Sequence, residues 1–223
     1  MKKNIITFIA LLVSLFTSLS IFAQTEKPFL SRFEFDLSVG TVQSNKFTIT
    51  DFKDFRGNVY DITMGGGLNP KYRFDLGFAV NSSLSVGAYI ASSEIRVNEL
   101  IKPDSLGNGS YGYTNGSVSS INATFYGLSA KYQLLPLVFK QADKMRFQLY
   151  TIAQVGIVSS WQWNNDPVHI YEQIKNPKFT EYGIGLGLGY KFSKHWGVFA
   201  EYNYGNFFND NSSYLRGGLM IRL

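Results

Sequence analysis

Eleven charged residues share a setting in which charge could do chemistry. Glu34, Asp36, Lys71, Arg73, Asp75, Lys131, Arg146, Glu181, Glu201, Arg216 and Arg222 each fall on the non-apolar side of a segment that alternates residue by residue. Gathered in one enclosed interior, such groups are tolerated only when paired or hydrated. Two chemistries follow from that: a gated or selective aqueous path, or a plug of mutual ion pairs. Catalytic sets are weaker. The two histidines, His169 and His195, stand in connecting segments, and no Gly-x-Ser-x-Gly is present. Gly183, Gly185, Gly187 and Gly189 recur at the period of a strand and form no nucleotide fingerprint. Asp104-Ser-Leu-Gly-Asn-Gly lacks an oxygen ligand at the third position of a calcium loop and has Asn115 at the twelfth. The expectation is therefore no enzyme, no cofactor and no metal.

The elements that would hold these charges are strands. In 32–41, Phe33, Phe35, Leu37 and Val39 oppose Glu34, Asp36, Ser38 and Gly40. In 71–80, Tyr72, Phe74, Leu76, Phe78 and Val80 oppose Lys71, Arg73, Asp75, Gly77 and Ala79. Segments 84–91, 121–133 and 145–158 repeat the pattern, the last two placing Lys131, Arg146, Gln148, Tyr150 and Gln154 on the polar side. From 183 to 192, Ile184, Leu186, Leu188, Tyr190 and Phe192 alternate with four glycines and Lys191. In 196–204, Trp196, Val198, Ala200, Tyr202 and Tyr204 oppose Gly197, Phe199, Glu201 and Asn203. In 214–223, Leu219, Ile221 and Leu223 oppose Arg216, Gly218, Met220 and Arg222. Period two fits these eight segments better than helical spacing.

The connections alternate in length. Long ones cover 42–67, 96–120 and 159–179; short turns fall at 81–83 and 193–195. The connection 134–144 breaks the rhythm and carries Leu135, Pro136, Leu137, Val138 and Phe139, which suits an interfacial position or an extension of its strands. Within 42–67, alternation persists on both sides of Gly57-Asn58, a turn signal, so the first two strands could project as a hairpin. The second long connection is rich in Gly, Ser and Asn. The third holds Trp161, Trp163, Asp166-Pro167, His169 and Tyr171; it suits contact with a surface ligand, or equally packing at the barrel mouth or lipid headgroups.

Which side faces lipid follows from the polar side. A water-facing strand carries Lys, Glu and Thr, whereas glycine weakens a strand without helping solubility. Inside a narrow eight-stranded barrel, glycine leaves room for long side chains from other strands. Tyr72, Tyr132, Tyr190, Phe192, Trp196, Tyr202, Tyr204 and Tyr214 mark strand ends, as interfacial girdles require. A mean hydropathy of −0.05 is compatible with this, because only alternate residues meet lipid. The fold expected is all-β: an eight-stranded antiparallel transmembrane β-barrel over 24–223, preceded by a cleaved signal peptide over 1–23. Lys2 and Lys3 begin that leader, an uncharged apolar run follows, and cleavage is placed between Ala23 and Gln24. Removing Lys2 and Lys3 from the 21 basic residues leaves 19 against 16 acidic ones, and no basic cluster points to nucleic acid. Without cysteine there is neither a disulfide nor a lipidated cysteine anchor. Short turns then face the periplasm, long loops the outside, and both termini the periplasm.

The run Tyr182-Gly-Ile-Gly-Leu-Gly-Leu-Gly-Tyr-Lys-Phe, its turn into Trp196-Gly-Val-Phe-Ala-Glu-Tyr, and the last strand carry a resemblance. Over the whole mature chain the protein resembles small outer-membrane barrels of the OmpA/OmpX-like superfamily. More narrowly, it resembles the porin-family outer membrane protein beta-barrel domain common in Bacteroidetes. The resemblance implies a Gram-negative outer membrane, outer-membrane lipids as surroundings, the barrel-assembly machinery as a partner, and a monomer. Arg216, Gly218, Ile221 and Leu223 match the spacing of the family's assembly signal, with Leu223 where the family prefers an aromatic. Lipid A deacylases on similar barrels use His-x-Ser, whereas Trp196 and Gly197 follow His195. Three functions stay open: a structural or surface-interaction scaffold acting through its loops, a narrow pore for small solutes, and a lipid-modifying enzyme, in that order.

Overall fold

A computed structural model describes residues 29–53, 59–102, 111–112, 119–139, 141, 144–164, 180–207 and 210–223. The expected leader with Ala23 and Gln24, the Gly57-Asn58 pair, the Asp104 segment, and His169 with Tyr171 lie outside the described residues. A 3-10 turn, Phe29–Arg32, leads into β1 (Phe33–Lys53), β2 (Val59–Ala79), β3 (Leu84–Lys102), β4 (Tyr111–Gly112) and β5 (Ser119–Gln133). A helical turn, α1 (Leu135–Val138), precedes β6 (Phe147–Asn164), β7 (Thr180–Lys191), β8 (Trp196–Phe207) and β9 (Asp210–Arg222).

Each long strand pairs antiparallel with its sequence neighbour, and β9 returns to β1 through Glu34↔Arg222 to Gln43↔Ser213. The eight long strands therefore close into a barrel, and β4 only extends the tip of β3 through Ile101↔Gly112. Closure matters because an open sheet edge in hydrocarbon would leave backbone groups without partners. Among the described residues no helix is long and apolar enough to cross a membrane. β7 and β8 have 12 residues each. At the usual rise and tilt, that length spans about 28 Å, close to a hydrocarbon core.

The burial pattern inverts that of a water-soluble protein. Leu37, Val39, Leu128, Ile184, Leu186, Leu188 and Leu215 are about half exposed or more, while Asp36, Lys71, Arg73, Asp75, Glu181, Glu201 and Arg216 are buried. A belt of exposed aliphatics around buried charge is the arrangement of a barrel with lipid outside. Tyr72, Tyr126, Tyr182, Tyr202 and Tyr204 stand outward toward the loop end, and Phe147, Phe192 and Trp196 toward the turn end. Tyr214 corrects the expected girdle: it is fully buried, facing inward with its ring 5.8 Å from that of Phe207. Its parity is that of Arg216, so it belongs to the lumen face.

The turns follow from short polar side chains. Asn81 Oδ1 accepts the backbone N–H of Ser83 (2.8 Å) and Leu84 (2.7 Å), an Asx turn that reverses the chain between β2 and β3. Ser193 Oγ accepts from the N–H of Trp196 (2.9 Å) between β7 and β8. The strands at the other end run further than the sequence segments 32–41 and 71–80. β1 and β2 are 21 residues each, and their pairing continues to Lys53↔Val59. Much of 42–67 is thus paired strand, forming the two arms of the expected hairpin. Gly66 and Gly67, at φ 78° and 97°, sit where β2–β3 pairing is interrupted between Met64 and Lys71. Left-handed backbone there needs glycine. The connection 134–144 holds α1, whose Leu137 and Val138 are exposed.

Leu186→Arg places a cation on the lipid face and should cost about 2–4 kcal/mol near the midplane. Gly77→Ala faces the lumen, where its new Cβ would sit 3.6 Å from the Glu34 carbonyl oxygen, an ordinary contact. Folding into lipid vesicles should therefore tolerate Gly77→Ala and penalise Leu186→Arg; equal tolerance would contradict lipid outside.

Candidate functional site: the charged lumen

Alternation carries one side chain in every two of each strand into the barrel, and strand tilt brings residues far apart in sequence to one level. Five cations and five carboxylates meet there in ion pairs: Lys71, Arg73, Lys131, Arg216 and Arg222 with Glu34, Asp36, Asp75, Glu181 and Glu201. Their formal charges cancel.

The central group is built on β8, β9 and β2. Glu201 and Arg216 are direct cross-strand partners, and Arg216 Nε donates to Glu201 Oε2 at 2.5 Å. Arg216 Nη1 reaches Asp75 Oδ2 at 2.7 Å and Ser38 Oγ at 3.2 Å. Asp75 also accepts from Arg73 Nε at 3.0 and 2.9 Å, a fork from two residues away on the same strand face. Arg73 Nη1 donates to Gln154 Oε1, and its guanidinium lies 3.6 Å from the Tyr89 ring centroid. Tyr150 Oη donates to the other Glu201 oxygen at 2.9 Å.

Toward the turn end, Lys131 Nζ binds Asp36 Oδ2, with Glu34 at 3.5 Å and Glu201 at 3.8 Å. Arg222 closes this branch on Glu34 at 2.5 Å, and at 27% side-chain exposure it marks the rim. Toward the loop end, Lys71 Nζ donates to Glu181 Oε2 at 2.5 Å, and Tyr89 Oη donates to the second Glu181 oxygen. Phe125 lies 4.2 Å and Tyr214 5.2 Å from the same ammonium. Aromatic faces there replace water around a cation that has one carboxylate partner.

Of the charges singled out in the sequence, Arg146 is the correction. It stands in an exposed bend before β6, at the rim, and joins none of these pairs. The strand begins at Phe147, so alternation did not yet hold at 146. Trp161 and Trp163 fall within β6, but their side chains are outside the described set. His195 is exposed, its Nδ1 2.9 Å from the Arg222 carbonyl oxygen. Of the assembly-signal positions, Arg216 is buried inward, Gly218 shares its parity, and Ile221 and Leu223 lie on the opposite face. Sequence reasoning did not assign Tyr89 and Tyr150 their roles as carboxylate donors. Their parity marked them as inward, and inward tyrosines beside acidic positions are the available signal.

The glycines make the room. A Cβ at Gly127 or Gly156 would run into the Tyr89 side chain, and one at Gly187 into the Tyr150 ring. A serine at 187 is therefore no mild change. It would push Tyr150 off Glu201.

An all-antiparallel closed barrel with aliphatic belt and charged interior defines an integral membrane barrel. The chain belongs to the outer membrane protein beta-barrel domain family, which matches residues 8–219. It accordingly sits in the bilayer of a Gram-negative outer membrane. No curated protein matches it. Among solved structures it is similar to Neisserial surface protein A, at 13% identity, TM-score 0.47, over 86% of this chain and 98% of that one. It is similar also to the N-terminal barrel domain of Pseudomonas aeruginosa OprF, at 12% identity, TM-score 0.44, 86% and 98%. OprG from the same organism is similar at 13%, TM-score 0.43, 86% and 95%.

Removing one member of a buried pair leaves the other charge stranded, commonly at about 3–5 kcal/mol. Glu201→Gln should destabilise the folded barrel in urea, and adding Arg216→Met should return part of the loss, because Asp75 keeps Arg73. The expected coupling is about 1–3 kcal/mol. A coupling of zero would mean that the pair contributes nothing to the fold.

Proposed function

We propose that this protein is an integral outer-membrane scaffold that presents a raised sheet outside the cell while its own lumen is plugged. The observation that supports the plug is the charge balance: each of the five lumen carboxylates is held by a cation on the barrel wall. A conducting path of one ionic preference would carry an excess of one sign. The support for presentation is asymmetry of height. β1 pairs with β9 only as far as Gln43, but with β2 as far as Lys53. β3 and β6 likewise run 19 and 18 residues against 12 for β7. One wall thus stands above the other, and its long connections are placed to meet partners.

In this reading the short turns and both termini face the periplasm, the leader is removed after Ala23, and the protein is a monomer without catalytic function. Its last strand, with Arg216, Gly218, Ile221 and Leu223, addresses the barrel-assembly machinery. The runner-up, a narrow pore, has one observation in its favour. Several buried lumen atoms have no protein partner, among them both amide atoms of Asn203, Gln154 Nε2 and Tyr214 Oη. Groups of that kind are the usual hosts of ordered water.

Planar-bilayer recording decides between the two. Wild type and Glu201→Gln should both be silent; stable ohmic steps from wild type would replace the plug by a pore, and steps only from Glu201→Gln would make the pair a gate. Orientation has its own measurement. Protease added to intact cells should cut within 96–120 and spare 81–83, and cleavage in 81–83 alone would reverse the topology.

A further inference from the structure

The turn end carries a cleft at the rim of the lumen network, which it meets only at Arg222. Its volume is about 680 Å³, and six of its lining residues are basic or imidazole: Lys144, Arg146, Lys191, Lys194, His195 and Arg222. No Asp or Glu side chain lines it among the described residues; the carboxyl-terminal residue Leu223 does. Arg222 is committed to Glu34, but Lys144, Arg146 and Lys194 are exposed and have no acidic partner among the described residues. This is unlike the lumen, where every cation is matched.

The cleft is held by backbone bonds between three segments. The Lys191 N–H donates to the Arg146 carbonyl at 2.8 Å, and the Arg222 N–H to the His195 carbonyl at 2.8 Å. The segment before β6, the end of β7 with the β7–β8 turn, and the end of β9 therefore share one rim. The same rim is apolar on its outer side. Met145, Phe192 and Leu223 also line the cleft, and all three are exposed, as is Trp196 beside them. Cations over a hydrophobic ledge at the barrel's interfacial level match a ligand with a phosphate head and acyl chains. A soluble polyanion would use the charge and leave the ledge uncovered.

We infer that this cleft is a headgroup site for an anionic phospholipid of the periplasmic leaflet. The phosphate sits among Lys144, Arg146 and Lys194, and the acyl chains descend past Phe192 and Trp196. The choice of leaflet rests on the orientation proposed above; the chemistry of the cleft does not.

The test uses the full folded chain in zwitterionic phosphocholine micelles, titrated separately with phosphatidylglycerol, phosphatidylcholine and lipid A, with retained lipid read by native mass spectrometry. Phosphatidylglycerol should be retained over phosphatidylcholine, and less so at high salt. The triple variant Lys144→Gln, Arg146→Gln, Lys194→Gln should lose about a hundredfold in affinity, and Lys194→Gln alone about fivefold. Lys194 is an exposed turn residue, so its single variant keeps the test valid if the triple variant misfolds. Equal retention of phosphatidylglycerol and phosphatidylcholine, or variants that bind like wild type, would overturn the site. Preference for lipid A over phosphatidylglycerol would overturn the assignment to phospholipid. A reversed orientation would show in the protease experiment and leave these affinities unchanged, so the two failures are distinguishable.

Discussion

An eight-stranded barrel in lipid has an interior scarcely wider than the side chains that fill it, and that interior has little room for water to solvate charge. Neutralisation must then come from the wall itself. The rest of the structure reflects this constraint. Glycines thin the wall where rings must lie: Gly127 and Gly156 around Tyr89, Gly187 beneath Tyr150. The two tyrosine hydroxyls donate hydrogen bonds to Glu181 and Glu201, the carboxylates that also bind Lys71 and Arg216. Space and charge are solved by the same positions.

Height above the bilayer is a separate matter. Below Gln43 every strand has two partners, and the barrel is uniform. Above it, β1 goes on pairing with β2 to Lys53↔Val59 without β9, and β2 rejoins β3 at Met64↔Val97. The membrane limits β7 and β8 to lengths near its own thickness. Nothing comparable limits strands in water, where pairing is restricted only by turn residues such as Gly66 and Gly67.

Alternation made much of the fold legible. The eight strands, their inward and outward faces and the short turns at Asn81 and Ser193 are local patterns with local causes. Glu201 and Arg216 could be placed at one depth because they lie on strands joined by one hairpin. Lys71 with Glu181, and Lys131 with Asp36, could not be paired that way. They lie on β2 and β7, and on β5 and β1, and face one another across the lumen. Which levels coincide there depends on tilt and stagger, which are properties of the closed barrel and of no one strand. Arg146 and Tyr214 mark two further limits. One stands a residue before its strand begins, where parity has no meaning; the other looked interfacial by type, although its parity was that of the lumen.

These cross-lumen pairs also bear on why the barrel closes in a single register. Sliding one strand by one residue turns its inward set outward. For β2 that would carry Lys71, Arg73 and Asp75 toward lipid, with each cation costing about 2–4 kcal/mol at depth. It would also strand Glu181 on β7 and deprive Asp75's partner Arg216 on β9 of one carboxylate. The penalty therefore falls on three strands when only one has slipped. A lumen filled with aliphatic side chains could pack as densely, but a slipped strand would then expose only more hydrocarbon to hydrocarbon, and lipid would not object. Charge inside the barrel is what makes the wrong register expensive, and pairing is what makes the right one tolerable.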